Sequence, residues 1–560
     1  MFEEAFNMST NNSYKLADIG RSNPIFSQVR STIETAFYGN NMTHIPNVAT
    51  AYELAVQGPG TIQTDLPIYR PTDLGLPADA KMLIDNTGKV VGRTAQARRI
   101  LGDEGVDEAD MAGRLRQAVY NGQQKHFIKT DVLVGLDEDF IVQAHLAIPD
   151  GYANNLLSYM LNFQPITEHY QKMFDNSVAY PEGDIYIYAD PSYHDPDYPD
   201  GLALFDPKHN AAAILGMPYF GELKKSTLTL AWSIAHRHGY VSCHGGLKAF
   251  HFKDKQDQVF AMFGLSGSGK STLTHAKHGY KYDITVLHDD AFVINRKNGS
   301  SVALEPSYFD KTNDYPMTSD ETKYFMTIQN VGVTLDDQGR KVLVTEDLRN
   351  GNGRTIKSRY ASTNRVDKEN APINAIFWIM KDDSLPPVIK VDDPVLAATF
   401  GATLATKRSS AENIVGDVDR NALVIEPFAN PFRVYPLSED YHDFKALFEE
   451  RHLDCYLLNT GFFGDKKIPK EITLGALEAI VNNTTEWESF AGCDHMQNLK
   501  LADFPVDYDN TDYRQLVATR LGIRANFVDQ YQHTHNDRLP HEITDILVKL
   551  QRQLTDKVTR

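Results

Sequence analysis

At 560 residues the chain is too long for one small core and long enough for two or three domains. Its composition, 42% hydrophobic, 23% charged and 10% aromatic, is that of a soluble globular protein. A formal net charge of −18 excludes a broad nucleic-acid footprint or an anionic membrane surface as main partner, because both need a basic face; a small basic pocket for an anionic metabolite remains open.

The N-terminal stretch MFEEAFNMSTNNSYK has no basic segment leading into an apolar run, so it predicts no secretory signal. No apolar run approaches the roughly 20 residues that span a bilayer. Cys243, Cys455 and Cys493 are too few and too odd for a disulfide framework, and a cytoplasmic location is expected. Residues 1–60 read as a polar lead-in. Residues 93–120 carry helix formers with a breaker near Gly102. TDVLVGL and FIVQAHLAI read as strands, and DIYIYADPSYHDPDYPDG as a strand running into a loop. STLTLAWSIAHRHG reads as a helix stopped at Gly239. DQVFAMF, ITVLHDD, INAIFWIM and CYLLNTG are further strands, and HEITDILVKLQRQLTDKV is an amphipathic helix. The expected fold class is α/β: a lead-in (1–60), an N-terminal α/β domain (61–240), and a C-terminal nucleotide-binding domain with a helical extension (241–560).

GLSGSGKS, Gly264–Ser271, fits the phosphate-binding loop pattern between a strand and a helix. Glycines let backbone N–H groups converge on phosphate oxygens, and the helix N-terminus adds partial positive charge. Lys270 reaches the β- and γ-phosphates, and Ser271 suits the Mg²⁺ of the nucleotide. HDD, His288–Asp290, closes the next strand with paired carboxylates suited to a divalent cation, or to a capped turn. SCHGG places Cys243, a small core filler, beside His244. Arg93 follows Gly92 at a strand-to-helix junction where a guanidinium could fork onto a carboxylate. YFGELKK ends on Lys224 and Lys225, which read either as wet surface or as groups aimed at an anion. His533, His535 and His541 read as surface.

These stretches, in this order, resemble the ATP-dependent phosphoenolpyruvate carboxykinase family. YFGELKK is similar to that family's Tyr-Gly-Gly-Glu-Met-Lys-Lys, GLSGSGKST to its phosphate loop, HDD to its Gly-Asp-Asp and VGRT to its Thr-Gly-Arg-Ser; SLPPV and NTGFFG follow downstream. The resemblance runs from about residue 85 to 485. It implies a two-lobed fold, with an N-terminal α/β domain and a mononucleotide-binding domain. It implies the reversible conversion of oxaloacetate and ATP to phosphoenolpyruvate, CO₂ and ADP, in a gluconeogenic or anaplerotic role. Two metals are implied, Mg²⁺ on the nucleotide and Mn²⁺ at the substrate. Lys225, His244 and Asp290 would ligate the second metal, with Asp289 holding its waters and Ser271 serving the nucleotide metal. Lys224 would hydrogen-bond nearby, Tyr219 would pack against substrate or CO₂, and Arg93 would hold the substrate carboxylate. Ser266 would face substrate, while Arg359 would stabilise the phosphoryl group in flight. Gly264, Leu265, Ser266, Gly267, Ser268, Gly269, Lys270, Ser271 and Thr272 would wrap the phosphates. Lys467 and Thr473 fall where the family contacts adenine, and Glu305 near its nucleotide side.

The chain departs from the pattern in places. SCHGGLK stands where the family reads Met-His-Cys-Ser-Ala-Asn, His288 replaces a glycine, and AFVI follows the aspartates in place of Glu-His-Gly-Trp. TAQA follows the early arginine in place of Ser-Pro-Lys-Asp, and Lys467 replaces an arginine. Two rival readings stand beside the carboxykinase. One is a kinase with this loop acting on another acceptor, such as a protein serine; the other is a nucleotide-binding regulator without catalysis.

Overall fold

The computed structural model describes residues 10–20, 22–87, 97–265, 267–346, 352–407 and 423–555. The fold is mixed α/β, with several sheets and many helices. The chain forms two compact units, the first built from residues up to 234 together with 302–363, the second from 235–301, 364–407 and 423–555. Among the described residues no helix is long and apolar enough to cross a membrane.

Unit 1 is organised by a long hairpin, Phe127–Asp137 against Phe140–Pro149. All ten residues of the second strand are buried, so FIVQAHLAIP reads as a mostly apolar run, interrupted by Gln143 and His145, instead of alternating. Parallel pairing then adds Ile185–Asp190 and Ala211–Leu215, and Leu202–Asp206 closes back antiparallel. A five-stranded sheet joins Ile62–Pro67 and Lys81–Asp85 to Phe325–Gln329, Arg354–Lys357 and Tyr308–Lys311. The helix-forming stretch 93–120 resolves, from residue 97 on, into a short strand, Arg98–Ile100, and a helix, Glu108–Gly122. That helix starts at Asp107, whose carboxylate accepts from the N–H groups of Ala109 and Asp110.

Unit 2 holds an eight-stranded sheet whose centre is three parallel strands, Gln258–Phe263, Ala375–Met380 and Asp454–Asn459. These match the apolar runs DQVFAMF, INAIFWIM and CYLLNTG. Gly246–His251 and Asp283–His288 extend the sheet on one side. Its apolar face packs on the helix Lys470–Val481 through Leu477 and Val481. Two C-terminal helices, Thr511–Thr534 and His541–Thr555, pack on each other. The three cysteines are buried thiols.

Candidate active site

In unit 2 the strand Gln258–Phe263 runs into the glycine loop, and the loop into a six-residue helix, Lys270–His275. Gly267 and Gly269 have φ of 76° and 96°, a region that strains any side chain. Gly264 is needed for space, since a Cβ there would lie 2.4 Å from Ser268 Oγ and 2.9 Å from Ile379 Cβ. Three bonds turn loop carbonyls away: Ser268 N–H donates to Leu265 O, Lys381 Nζ to Gly267 O at 2.6 Å, and Thr460 Oγ1 to Ser268 O at 2.7 Å. Among the described residues Ser268 Oγ is buried without a hydrogen-bond partner. Lys270 opens the helix, half-buried, with Ser271 and Thr272 exposed after it.

The SCHGG stretch serves the same helix. A Cβ on Gly246 would lie 2.0 Å from Thr274 Oγ1, so the bare backbone is what lets the helix sit against this strand. His244, on the strand Tyr240–His244, has Nδ1 at 2.5 Å from the carbonyl of Ala429 and Nε2 at 2.9 Å from Asp290 Oδ1. A carbonyl only accepts, so Nδ1 carries a proton, and in a neutral ring Nε2 would present its lone pair to the carboxylate. That contact is repulsive unless a proton or a metal cation lies between them. An imidazole oriented by a carbonyl, facing a carboxylate, is also the ordinary donor arrangement for a divalent metal.

His288 is the departure that the fold explains. Its buried Nδ1 accepts the N–H of Asp290 at 3.0 Å and closes the turn after the strand Asp283–His288, which places both aspartates. Asp289 lies 3.4 Å from His275 Nε2 and 4.0 Å from His288 Nδ1. Burial raises its pKa, but His275, His288 and Lys270 outweigh that and hold the carboxyl well below the usual range. Lys467 is exposed in a two-residue strand, and Thr473 is buried with its hydroxyl on Lys470 O.

In unit 1, YFGELKK is not a lead-in to a helix but its first turns: the helix spans Phe220–Arg237, starting six residues before the STLTLAW run. Tyr219 folds back over Gly221, where a Cβ would come within 2.3 Å of its ring, so the glycine makes room for the tyrosine. Burial raises the pKa of the Tyr219 hydroxyl, opposed by the nearby Arg354 and Lys224. Lys224 is fully buried and pairs with the equally buried Glu305 at 3.0 Å; Asn162 Nδ2 donates to the other carboxylate oxygen at 2.7 Å. Lys225, the next residue, is half-buried. The two lysines therefore part company: Lys224 is a core ion pair, and Glu305 meets it in unit 1. Glu222, one turn earlier, is buried and its carboxyl is pushed up to about 8, burial outweighing the charge of Arg98. Arg359 is half-buried at the start of a 3₁₀ turn. Arg93 and Ser266 lie outside the described residues.

Sequence reasoning passed over Arg354, Asn162, Lys381, Thr460 and His275. Arg354 opens the strand that leads to Arg359, so two arginines bracketing one short strand were a usable signal. Lys381 and Thr460 follow the apolar strands INAIFWIM and CYLLNTG, at the strand ends where ligands bind in α/β sheets.

The fold and this loop define a mixed α/β protein with a strand–glycine loop–helix unit. The chain belongs to the phosphoenolpyruvate carboxykinase family, whose sequence model matches residues 72–504. It is 26% identical over 306 residues to a phosphoenolpyruvate carboxykinase (ATP) of Aeropyrum pernix, covering 52% of this chain and 60% of that protein. It is 24% identical over 383 residues to the glycosomal phosphoenolpyruvate carboxykinase (ATP) of Trypanosoma brucei brucei, covering 65% and 76%. A Bacillus mycoides phosphoenolpyruvate carboxykinase (ATP) is 23% identical over 424 residues, covering 71% and 76%.

Proposed function

We propose that the chain is an ATP-dependent phosphoenolpyruvate carboxykinase, converting oxaloacetate and ATP to phosphoenolpyruvate, CO₂ and ADP. The observation that carries this reading is the glycine loop with Lys270 and Ser271 in the same unit as the His244–Asp290 pair, in a chain of this family. In the finer reading, unit 1 is the substrate-side lobe and unit 2 the mononucleotide-binding lobe.

The metals fit the donor chemistry: His244 Nε2 with the Asp290 carboxylate suits Mn²⁺, and the hydroxyl of Ser271 suits Mg²⁺. A cation at the first of these would supply positive charge where decarboxylation leaves an enolate oxygen. Asp289 stays ionised and holds waters. Lys270 neutralises the γ-phosphoryl group, with the loop N–H groups and Ser268 taking the remaining oxygens. Arg359 stabilises charge on that group in flight. Arg93 holds the substrate carboxylate and Tyr219 packs against substrate or CO₂. Lys225 would serve as a metal ligand only as a neutral amine. Lys224 with Glu305 fixes the helix that presents it. Ser266 faces substrate, and Lys467 and Thr473 contact the base.

The test is phosphoenolpyruvate formation from oxaloacetate and ATP with Mn²⁺ and Mg²⁺, with Lys225→Ala and Lys270→Ala as controls. Product lost in both variants supports the assignment. No product from a parent chain that still binds ATP would sink it and favour a kinase with another acceptor.

A further inference from the structure

The family match ends at residue 504, and the helix Thr511–Thr534 lies beyond it. This helix reaches the turn Lys381–Ser384 at three points. Tyr513 OH donates to Ser384 O at 2.9 Å, Arg520 Nη2 to Asp383 Oδ1 at 2.9 Å, and the buried Arg524 sits 3.5 Å from the fully buried Asp382. Lys407 holds the other oxygen of Asp383 at 2.7 Å. The far side of the turn faces the glycine loop. Lys381 Nζ takes Gly267 O, and Thr460, whose own N–H donates to Met380 O, takes Ser268 O. Asn459 closes the set by donating to the carbonyls of Asp382 and Leu385.

One turn therefore has two arginines of the helix Thr511–Thr534 on one side and, through Lys381, the Gly267 carbonyl on the other, while Thr460, hydrogen-bonded to Met380 just before the turn, holds the Ser268 carbonyl. The loop can present its N–H groups to phosphate only while those carbonyls face away. The hydrogen-bonded guanidinium–carboxylate contact of Arg520 with Asp383 is directional, and Arg524 adds a buried ion contact to Asp382 at 3.5 Å.

We propose that the helix Thr511–Thr534 is a brace for the glycine loop, with Arg520 and Arg524 as positioning residues that act through Lys381 to set the affinity for a nucleoside di- or triphosphate. The affinity part rests on the nucleotide reading above; the bracing of the loop does not.

Two measurements separate them: amide deuterium uptake across residues 258–275, and calorimetric binding of MgADP. The variants are Arg520→Gln, Lys381→Met, their double variant and Arg524→Lys, each checked for an intact fold by circular dichroism. The brace predicts faster exchange in the loop for Arg520→Gln and Lys381→Met, and MgADP binding weakened by about tenfold in each. The double variant should be no weaker than Lys381→Met alone, and Arg524→Lys should retain most of the parent's affinity. Unchanged loop exchange in both single variants, unchanged MgADP affinity despite faster exchange, or effects that multiply in the double variant would each overturn it. If the parent binds MgADP no better than Lys270→Ala, the nucleotide reading falls and the affinity part with it, while the exchange data still decide whether the helix braces the loop.

Discussion

In unit 1 the buried base His145 lies between two carboxylates, with Asp131 Oδ1 2.6 Å from Nδ1 and Asp184 Oδ2 2.9 Å from Nε2. In unit 2 the buried base Lys248 has no carboxylate partner among the described residues: Nζ donates to Leu273 O at 2.7 Å and lies 2.9 Å from His278 Nε2. Burial penalises both charges. For His145 the bonds and charges of Asp131 and Asp184 outweigh burial and hold the pKa up at about 9. For Lys248 burial wins, helped by Lys277 and only partly opposed by Glu478, and the pKa falls to about 7. What decides the fate of a buried cation is the formal charge of its partners, not the number of hydrogen bonds they make.

The largest expected effect comes from removing one of the carboxylates. Asp184 is fully buried, and among the described residues its Oδ1 has no hydrogen-bond partner while Oδ2 holds His145. Asp184→Asn should cost about 3 kcal/mol, the order found when a buried pair loses a member. Urea unfolding at pH 6, where His145 is charged, should show the unfolding free energy falling by that amount, with a correspondingly lower midpoint. An unchanged midpoint would mean the triad holds no charge worth having.

The second effect is a pair of opposed pH slopes. His145 has an ordinary pKa of 6.5 and a folded one of about 9, so its stabilisation is complete below 6.5 and lost as pH rises through 9. Lys248 has an ordinary pKa of 10.5 and a folded one of about 7, so its contribution is full above 10.5 and lost as pH falls through 7. Each slope reaches at most about 1.4 kcal/mol per pH unit. Between pH 7 and 9 they oppose each other. His145→Gln should leave stability rising with pH in that window, and Lys248→Met should leave it falling. Where the two units unfold in separate transitions, the slopes should appear one per transition in the parent itself. Parallel slopes in the two variants would break the comparison.

Neither of these bases could be picked out in the sequence, and the reason is physical. His145 interrupts an apolar strand, FIVQAHLAI, and its partners lie fourteen and thirty-nine residues away. Lys248 sits among apolar neighbours in a strand and finds its acceptors at the end of a helix twenty-five residues on. What was legible was local: the glycine loop between DQVFAMF and its helix, the three parallel strands of unit 2, and the amphipathic helix beginning at His541. The helix Thr511–Thr534 was not, because its buried face, Arg514, Val517, Ala518, Leu521, Arg524 and Val528, carries two arginines that break the apolar period. The buried status of Lys224 was hidden for a similar reason. Adjacent lysines suggest solvent, and its partner Glu305 comes eighty-one residues later in a stretch with no charge pattern.

Replacing Lys248 itself is the next step down. Its ammonium satisfies Leu273 O and approaches Ala276 O at 3.4 Å, carbonyls at the end of the short helix that follows the glycine loop. Lys248→Met leaves that helix end without its donor, a loss of about 1–2 kcal/mol. The loss should be full at pH 10, where the parent's amine is mostly relieved of its burial penalty, and should shrink toward zero at pH 6, where the parent carries a buried charge that the variant lacks. Thermal unfolding of both proteins at the two pH values measures the difference, and an equal loss at both would mean that Lys248 does not titrate in the fold.

The smallest effect tests how far a carboxylate reaches through an imidazole. Glu478 takes His278 Nδ1 at 3.2 Å and Lys281 at 2.7 Å, while the other ring nitrogen of His278, Nε2, meets Lys248. Its charge raises the pKa of Lys248 without touching it. Glu478 is 22% exposed on its side chain, so Glu478→Gln should cost less than about 1 kcal/mol at any pH. Its signature lies in position instead of size. With that charge gone, the Lys248 pKa should drop further, and the rising limb of stability should begin at lower pH than in the parent. A limb that stays in place would mean that water or Lys281 screens Glu478 from the buried amine, and that Lys248 is governed by burial and its carbonyls alone.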